Sequence, residues 1–119
     1  MKDLIILAAH LDDFELGCVG YIIRHHNEYD NIRLYVATNN DYKEPITIEN
    51  VEQLSKYIGK NIDYSNLNYG STKLKSQFDD LKDDFYKLID FNSSFDLLTH
   101  DEEDLHTDHT SCSDIARGL

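Results

Sequence analysis

Two short polar clusters in this 119-residue chain carry the residue types that bind a metal ion and move protons: His10-Leu11-Asp12-Asp13 and His106-Thr107-Asp108-His109. Imidazole nitrogen and carboxylate oxygen at three positions, with a fourth left for water, is the arrangement of a catalytic zinc centre. His10, Asp13 and His109 meet that requirement. Water activated at such a centre needs a carboxylate beside it to take its proton. Amide hydrolysis also needs a positive or hydrogen-bonding group facing the developing oxyanion. Asp12 and His106 remain for these tasks. Asp12 adjoins a candidate ligand but points away from it in an extended segment, so it can face the water instead of the ion.

For clusters so far apart in the chain to act together, the fold must bring them to one edge. Leu4 to Ala9 is a continuous apolar run, the pattern of a strand buried on both faces, and it ends abruptly at His10. From Glu15 to His26, Leu16, Val19, Ile22 and Ile23 recur at helical spacing. They predict one helix, with His25 and His26 at its C-terminal end, where polar or cationic side chains are favoured. Ile32 to Thr38 reads as a second strand closing on the turn composition Asn39-Asn40-Asp41. Ile48, Val51, Leu54 and Ile58 predict a helix ended by Gly59, followed by a short strand over 62–69. Leu74, Phe78, Leu81, Phe85, Leu88 and Ile89 predict a long amphipathic helix whose other face, Asp79 to Asp84, is solvated.

Phe95 to Thr99 forms the last predicted strand, and His100 at its end is expected as structural support. After the acidic stretch Asp101 to Asp104, the second cluster opens a further helix. Strands alternating with helices imply an α/β fold, a Rossmann-like three-layer sandwich around a mostly parallel sheet, with ligands at the carboxyl ends of the strands. Neighbouring strands lie about 4.8 Å apart, so adjacent first and last strands would let both loops reach one ion.

Composition narrows the partners. Eleven basic against twenty-three acidic residues give a net charge of -12, which repels nucleic-acid phosphates and anionic membrane surfaces. A hydrophobic content of 40% argues against disorder and for a single domain over residues 1–119. Two cysteines, Cys18 and Cys112, are too few for a disulfide scaffold, and the chain is expected in a reducing cytoplasm. The apolar run Leu4 to Ala9 is too short for a signal-peptide core or a membrane span. A homo-oligomer is compatible with all of this. Gly17 and Gly20 lack the spacing of a dinucleotide-binding turn.

Ala9 to Cys18, AHLDDFELGC, resembles the AHPDDEELGC signature of the PIG-L/LmbE-like N-acetylglucosaminyl deacetylases. Asp104-Leu105-His106-Thr107-Asp108-His109 is similar to that family's D-x-H-x-D-H, which follows the last strand of its Rossmann-like core. The resemblance implies that His10, Asp13 and His109 bind Zn2+, or another divalent metal such as Fe2+. It further implies that Asp12 is general base and then acid, that His106 stabilises the tetrahedral intermediate, and that Asp108 orients a histidine from behind. An aspartate in a helix's first turn is also favoured there by the macrodipole alone. The implied substrate is an N-acetylated amino sugar or its conjugate, losing its acetyl group.

Leu11 stands where the family has proline and Phe14 where it has the first of two glutamates, without loss of any ligand. Thr47 and Ser71 stand where relatives carry an arginine and an acidic residue that contact the sugar. Relatives continue past the second motif, so this chain is expected to be the N-terminal portion of its domain, truncated at the C-terminus. Two other readings compete. A metal-dependent phosphoesterase would need bridging aspartates, for which Asp41 is the candidate at the second strand's end. A truncated, non-catalytic metal-binding module would keep the ion without the turnover.

Overall fold

The computed structural model describes residues 2–40, 42–101 and 104–118, with Leu16 described by its backbone alone. Asp41 and the Leu16 side chain, both singled out above, lie outside the described residues. Strand β1 (Lys2–Ala8) leads into two short helices, α1 (Asp13–Gly17) and α2 (Val19–His25), and a 3-10 turn at His26–Glu28. Then follow β2 (Tyr29–Thr38), α3 (Glu44–Ile58), β3 (Ile62–Tyr69), α4 (Phe78–Lys87), β4 (Phe95–Leu98) and α5 (Thr107–Arg117). The strands form one parallel sheet in the order β3-β2-β1-β4.

The alternation of side chains along β1 builds both layers of core. Leu4, Ile6 and Ala8 pack on one face with Phe14, Ile22, Val51 and Leu54, from the α1–α3 side. Ile5, Leu7 and Ala9 pack on the other with Leu81 and Phe85 of α4 and Cys112 and Ile115 of α5. Helices therefore cover both faces, as a two-sided apolar strand requires. The chain winds outward from β1 through β2 to β3, then returns to place β4 on the other side of β1. The order reverses between β1 and β4, and in open α/β sheets the crevice at that reversal, beyond the carboxyl ends of the strands, is where ligands bind.

Two predicted helices are shorter or more broken than their periodicity suggests. The first is interrupted at Cys18, between Gly17 and Gly20, residues that weaken a helix interior. In α2 Ile22 is buried while its neighbour Ile23, about 100° around the helix, is exposed. The helix predicted from Leu74 begins at Phe78 instead. Residues ahead of it form turns, in which the N–H groups of Thr72 and Leu74 donate to the Asp108 carboxylate (2.6 and 3.2 Å). Gly59 ends α3 as expected, at φ 73°, a left-handed conformation that glycine adopts without steric penalty. Among the described residues, no helix is long and apolar enough to cross a membrane.

Candidate metal centre

Both clusters lie at the reversal between β1 and β4. The end of β1 is anchored on its two sides: Thr38 of β2 donates its N–H and its hydroxyl to Ala9 O (3.1 and 2.8 Å), and Thr99 Oγ1 donates to Leu7 O at 2.8 Å. The loop beyond is pinned by burial. Leu11 and Phe14, the two departures from the family signature, are both buried in the α1–α3 face of the core. Burying such a side chain contributes about 1.5–3 kcal/mol, an anchor that does not need proline's fixed φ. Asp13 reaches back to accept the His10 N–H at 2.8 Å, closing the turn.

His10, Asp13 and His109 come together, each offering one ligand atom within 4.8 Å of the others. Their hydrogen bonds decide which atoms face inward. His10 Nε2 lies 2.8 Å from Asp108 Oδ2, and an ionised carboxylate offers only lone pairs, so this nitrogen carries the proton and Nδ1 keeps its lone pair. By the same argument His109 Nδ1 donates to Asp104 Oδ2 at 2.9 Å, leaving the lone pair on Nε2. Both nitrogens come close to one oxygen: Asp13 Oδ2 is 3.3 Å from His10 Nδ1 and 3.2 Å from His109 Nε2. Acceptors brought this close with no hydrogen between them repel unless a cation lies among them. A tetrahedron with metal–ligand bonds of about 2.0–2.1 Å has edges of about 3.3–3.4 Å, so these two separations suit a divalent ion with bonds of that length.

Protonation responds to the same crowding. The bond to Asp13, opposed by burial and reinforced by Asp108, raises the His10 pKa above its ordinary value, a proton meeting the demand for a cation. Burial works to raise Asp13, but its bonds from His10 and the charges of His109 and His100 outweigh this and hold the carboxyl below the usual range. Asp108 is fully buried, yet His10 and the Thr72 and Leu74 N–H groups overcome the burial and keep it low as well. Its placement behind His10 goes beyond what a helix dipole would explain. The surrounding backbone is strained for this purpose: Thr72, a β-branched residue, sits at φ 65°.

Asp12 and His106 both line a cleft of about 250 Å³ beside the cluster, together with His10, Asn39, Lys43 and Ser71. Asp12 is exposed and stays out of the cluster, with Lys43 Nζ 3.8 Å from its Oδ2. His106 caps α5 by accepting the Asp108 N–H on Nδ1 at 3.1 Å, so in the neutral ring Nε2 bears the proton. Ser71 reaches the cleft, whereas Thr47 is buried in α3.

The sequence reading gave no site role to His100 or Asp104. His100 stacks on His109 with ring centroids 3.9 Å apart and planes 8° from parallel, and its Nε2 accepts the Ala9 N–H at 3.0 Å. Burial first, then the neighbouring His109, lowers its pKa. Asp104 accepts from the His106 N–H as well as from His109, and these two bonds, in that order, hold its carboxyl low. Asp104 heads the second motif, the one signal that could have marked it. Both cysteines have raised pKa values, chiefly through burial, and neither is set up as a nucleophile.

The family model described as PIG-L, GlcNAc-PI de-N-acetylase, matches residues 5–119. The chain belongs to that family. The α/β architecture of this PIG-L family chain is similar to that of several solved structures. The conserved protein TT1542 from Thermus thermophilus is 26% identical with a TM-score of 0.69, the match covering 98% of this chain and 54% of that one. The N,N'-diacetylchitobiose deacetylase from Pyrococcus horikoshii is 20% identical with a TM-score of 0.61, covering 97% and 48%. GalB, the 4-carboxy-2-hydroxymuconate hydratase from Pseudomonas putida, is 16% identical with a TM-score of 0.65, covering 99% and 55%. The chain thus spans about half the length of the solved structures it matches. A comparison with curated protein sequences finds no match. A deacetylase and a hydratase sharing one fold mean that the fold alone does not choose the reaction.

Proposed function

We propose that this chain is the N-terminal portion of a zinc-dependent deacetylase that removes the acetyl group from an N-acetylated amino sugar or its conjugate. The observation that carries this reading is the convergence of His10 Nδ1, His109 Nε2 and Asp13 Oδ2, beside a polar cleft that also holds Asp12 and His106. Family membership supports it. A divalent ion held by His10, Asp13 and His109 supplies Lewis acidity, polarising a carbonyl and making water acidic enough to ionise near neutral pH.

The chain's own groups supply the rest. Asp12, at the cleft wall and free of the cluster, takes the proton of the attacking water as its oxygen bonds to the acetamide carbon. His106 donates its Nε2–H to the oxygen that becomes negative, while its Nδ1 is held by the Asp108 N–H. Asp12 then returns its proton to the nitrogen as the carbon–nitrogen bond breaks, leaving acetate and a free amine. Asp108 keeps His10 in the tautomer that presents Nδ1. Lys43 and Asp12 are both about half exposed, so their attraction is screened and contributes about 0–1 kcal/mol.

The test is metal content of the purified chain and of His10→Ala and His109→Ala, with acetate release from N-acetylglucosamine derivatives scored on the same samples. One zinc per chain, lost in both variants and accompanied by acetate release, is the expected result. Two ions with phosphate-ester cleavage would move the assignment to a phosphoesterase. Zinc without turnover would leave a metal-binding module, and no zinc at all would sink the reading.

A further inference from the structure

We propose that His100 and Asp104 are positioning residues that together fix the plane and the tautomer of His109, without either one binding the ion. This rests on the metal-centre reading above. His100 lies close enough to be mistaken for a ligand, its Nε2 being 3.5 Å from Asp13 Oδ2. However, a neutral imidazole has one ring-nitrogen lone pair, and that of His100 is spent on the Ala9 N–H at 3.0 Å. What His100 has left to offer is its face, which lies nearly parallel to His109 at 3.9 Å. Asp104 acts on the same ring from its edge, accepting from Nδ1 at 2.9 Å so that Nε2 is the nitrogen turned towards Asp13.

The bond to Ala9 gives the stack a second consequence. Ala9 immediately precedes His10, so His100 joins the backbone that carries one ligand to the ring of the other. Thr99 extends the same seam, donating to Leu7 O at 2.8 Å. The separation between the two histidine ligands is thereby set by β1 and β4 themselves, which pair in register from Asp3 with Phe95 to Ile6 with Leu98. An open fourth position follows: were His100 a ligand, three histidines and a carboxylate would close the coordination sphere.

Cobalt(II) titration of the full 119-residue chain, followed by visible absorption, tests this with His100→Ala, His100→Phe, Asp104→Asn and, for reference, His109→Ala. His100→Ala is expected to weaken cobalt binding about 10-fold and to change the shape of the absorption bands, and Asp104→Asn to weaken it about 10–100-fold. His100→Phe keeps a stacking ring but removes the acceptor of the Ala9 N–H, so it is expected to recover part of the affinity lost in His100→Ala, as a positioning role but not a ligand role allows. Unchanged affinity and spectrum in His100→Ala, or a loss in His100→Phe as large as in His109→Ala, would overturn the proposal while leaving the metal centre intact. Failure of the unsubstituted chain to take up cobalt would overturn both.

Discussion

The two ends of the sheet each carry a polar network, and they differ in whether its groups are satisfied. At the amino end, Tyr29 opens β2 with its side chain 1% exposed, bonds Tyr21 Oη at 2.7 Å and donates to Asp96 Oδ2 at 2.7 Å. Lys2 Nζ approaches the same carboxylate at 3.0 Å. Both hydroxyl donors there meet an acceptor, and the network links α2, β1, β2 and β4. At the carboxyl end, Asp108 is likewise bonded, but His10 Nδ1 and His109 Nε2 lie 3.3 and 3.2 Å from Asp13 Oδ2 with no hydrogen bond between them in the neutral tautomers. A closed network stabilises a fold, whereas converging acceptors lacking a proton between them make a place for a cation. The candidate site stands apart by what its groups still need.

Asp108 joins the two behaviours and gives the largest expected effect. Asp108→Ala strands the Thr72 and Leu74 N–H groups and releases His10. It should cost about 3–5 kcal/mol in denaturant unfolding and weaken metal binding about 10–100-fold. His109→Ala should separate the two quantities. Metal affinity, measured by titration, falls at least about 100-fold, more than for loss of an outer partner. The metal-free chain should change in stability by less than about 1 kcal/mol, because one acceptor has left a crowded group. A large stability loss there would mean that the cluster is structural, like its counterpart at the other end.

Tyr29→Phe should give the opposite pattern, costing about 1–2 kcal/mol with metal affinity unchanged. It also has a pH signature. Asp96 is held below its ordinary value by the Tyr29 hydroxyl first and Lys2 second. A carboxyl lowered on folding contributes stability above the unfolded value, near pH 4, and that contribution is lost as pH falls through the folded value. Removing the hydroxyl should therefore flatten the acid limb of stability against pH, as read by unfolding between about pH 5 and 2. An unaltered acid limb would show that the amino-end network is not coupled as its geometry indicates.

Much of the fold was legible because local chemistry and tertiary position agree. The run Leu4 to Ala9 is apolar on both faces, and the strand is covered on both. Gly59 ends α3 where a left-handed residue is needed. The clustering of the candidate ligands was legible for a different reason: each motif keeps its residues within one turn, so proximity in sequence becomes proximity in space. His100 and Asp104 were not, since the stacking of His100 on His109 and its bond to Ala9 depend on β4 lying beside β1. The early start predicted for α4 followed the apolar stripe, which burial satisfies without helical backbone. Leu74 fits the apolar stripe and is buried, but its N–H is committed to Asp108.

That commitment leads to the smallest expected effect. Thr72 holds φ 65°, where a β-branched side chain costs of order 1–3 kcal/mol, and the exposed side chain recovers nothing by packing. What keeps the conformation is its backbone N–H, donated to Asp108 at 2.6 Å. Thr72→Gly preserves that donor and removes the steric cost, while adding about 0.4–1 kcal/mol of chain entropy to the unfolded state. The net expectation is a gain of about 0.5–1 kcal/mol in unfolding free energy with unchanged metal affinity. Thr72→Pro provides the contrast, because proline can neither adopt that φ nor donate, and it should destabilise the chain and weaken the metal through Asp108 and His10. If glycine weakened metal binding as much as proline, the Thr72 side chain rather than its backbone would be what supports the carboxylate, and the strain at this residue would need another cause.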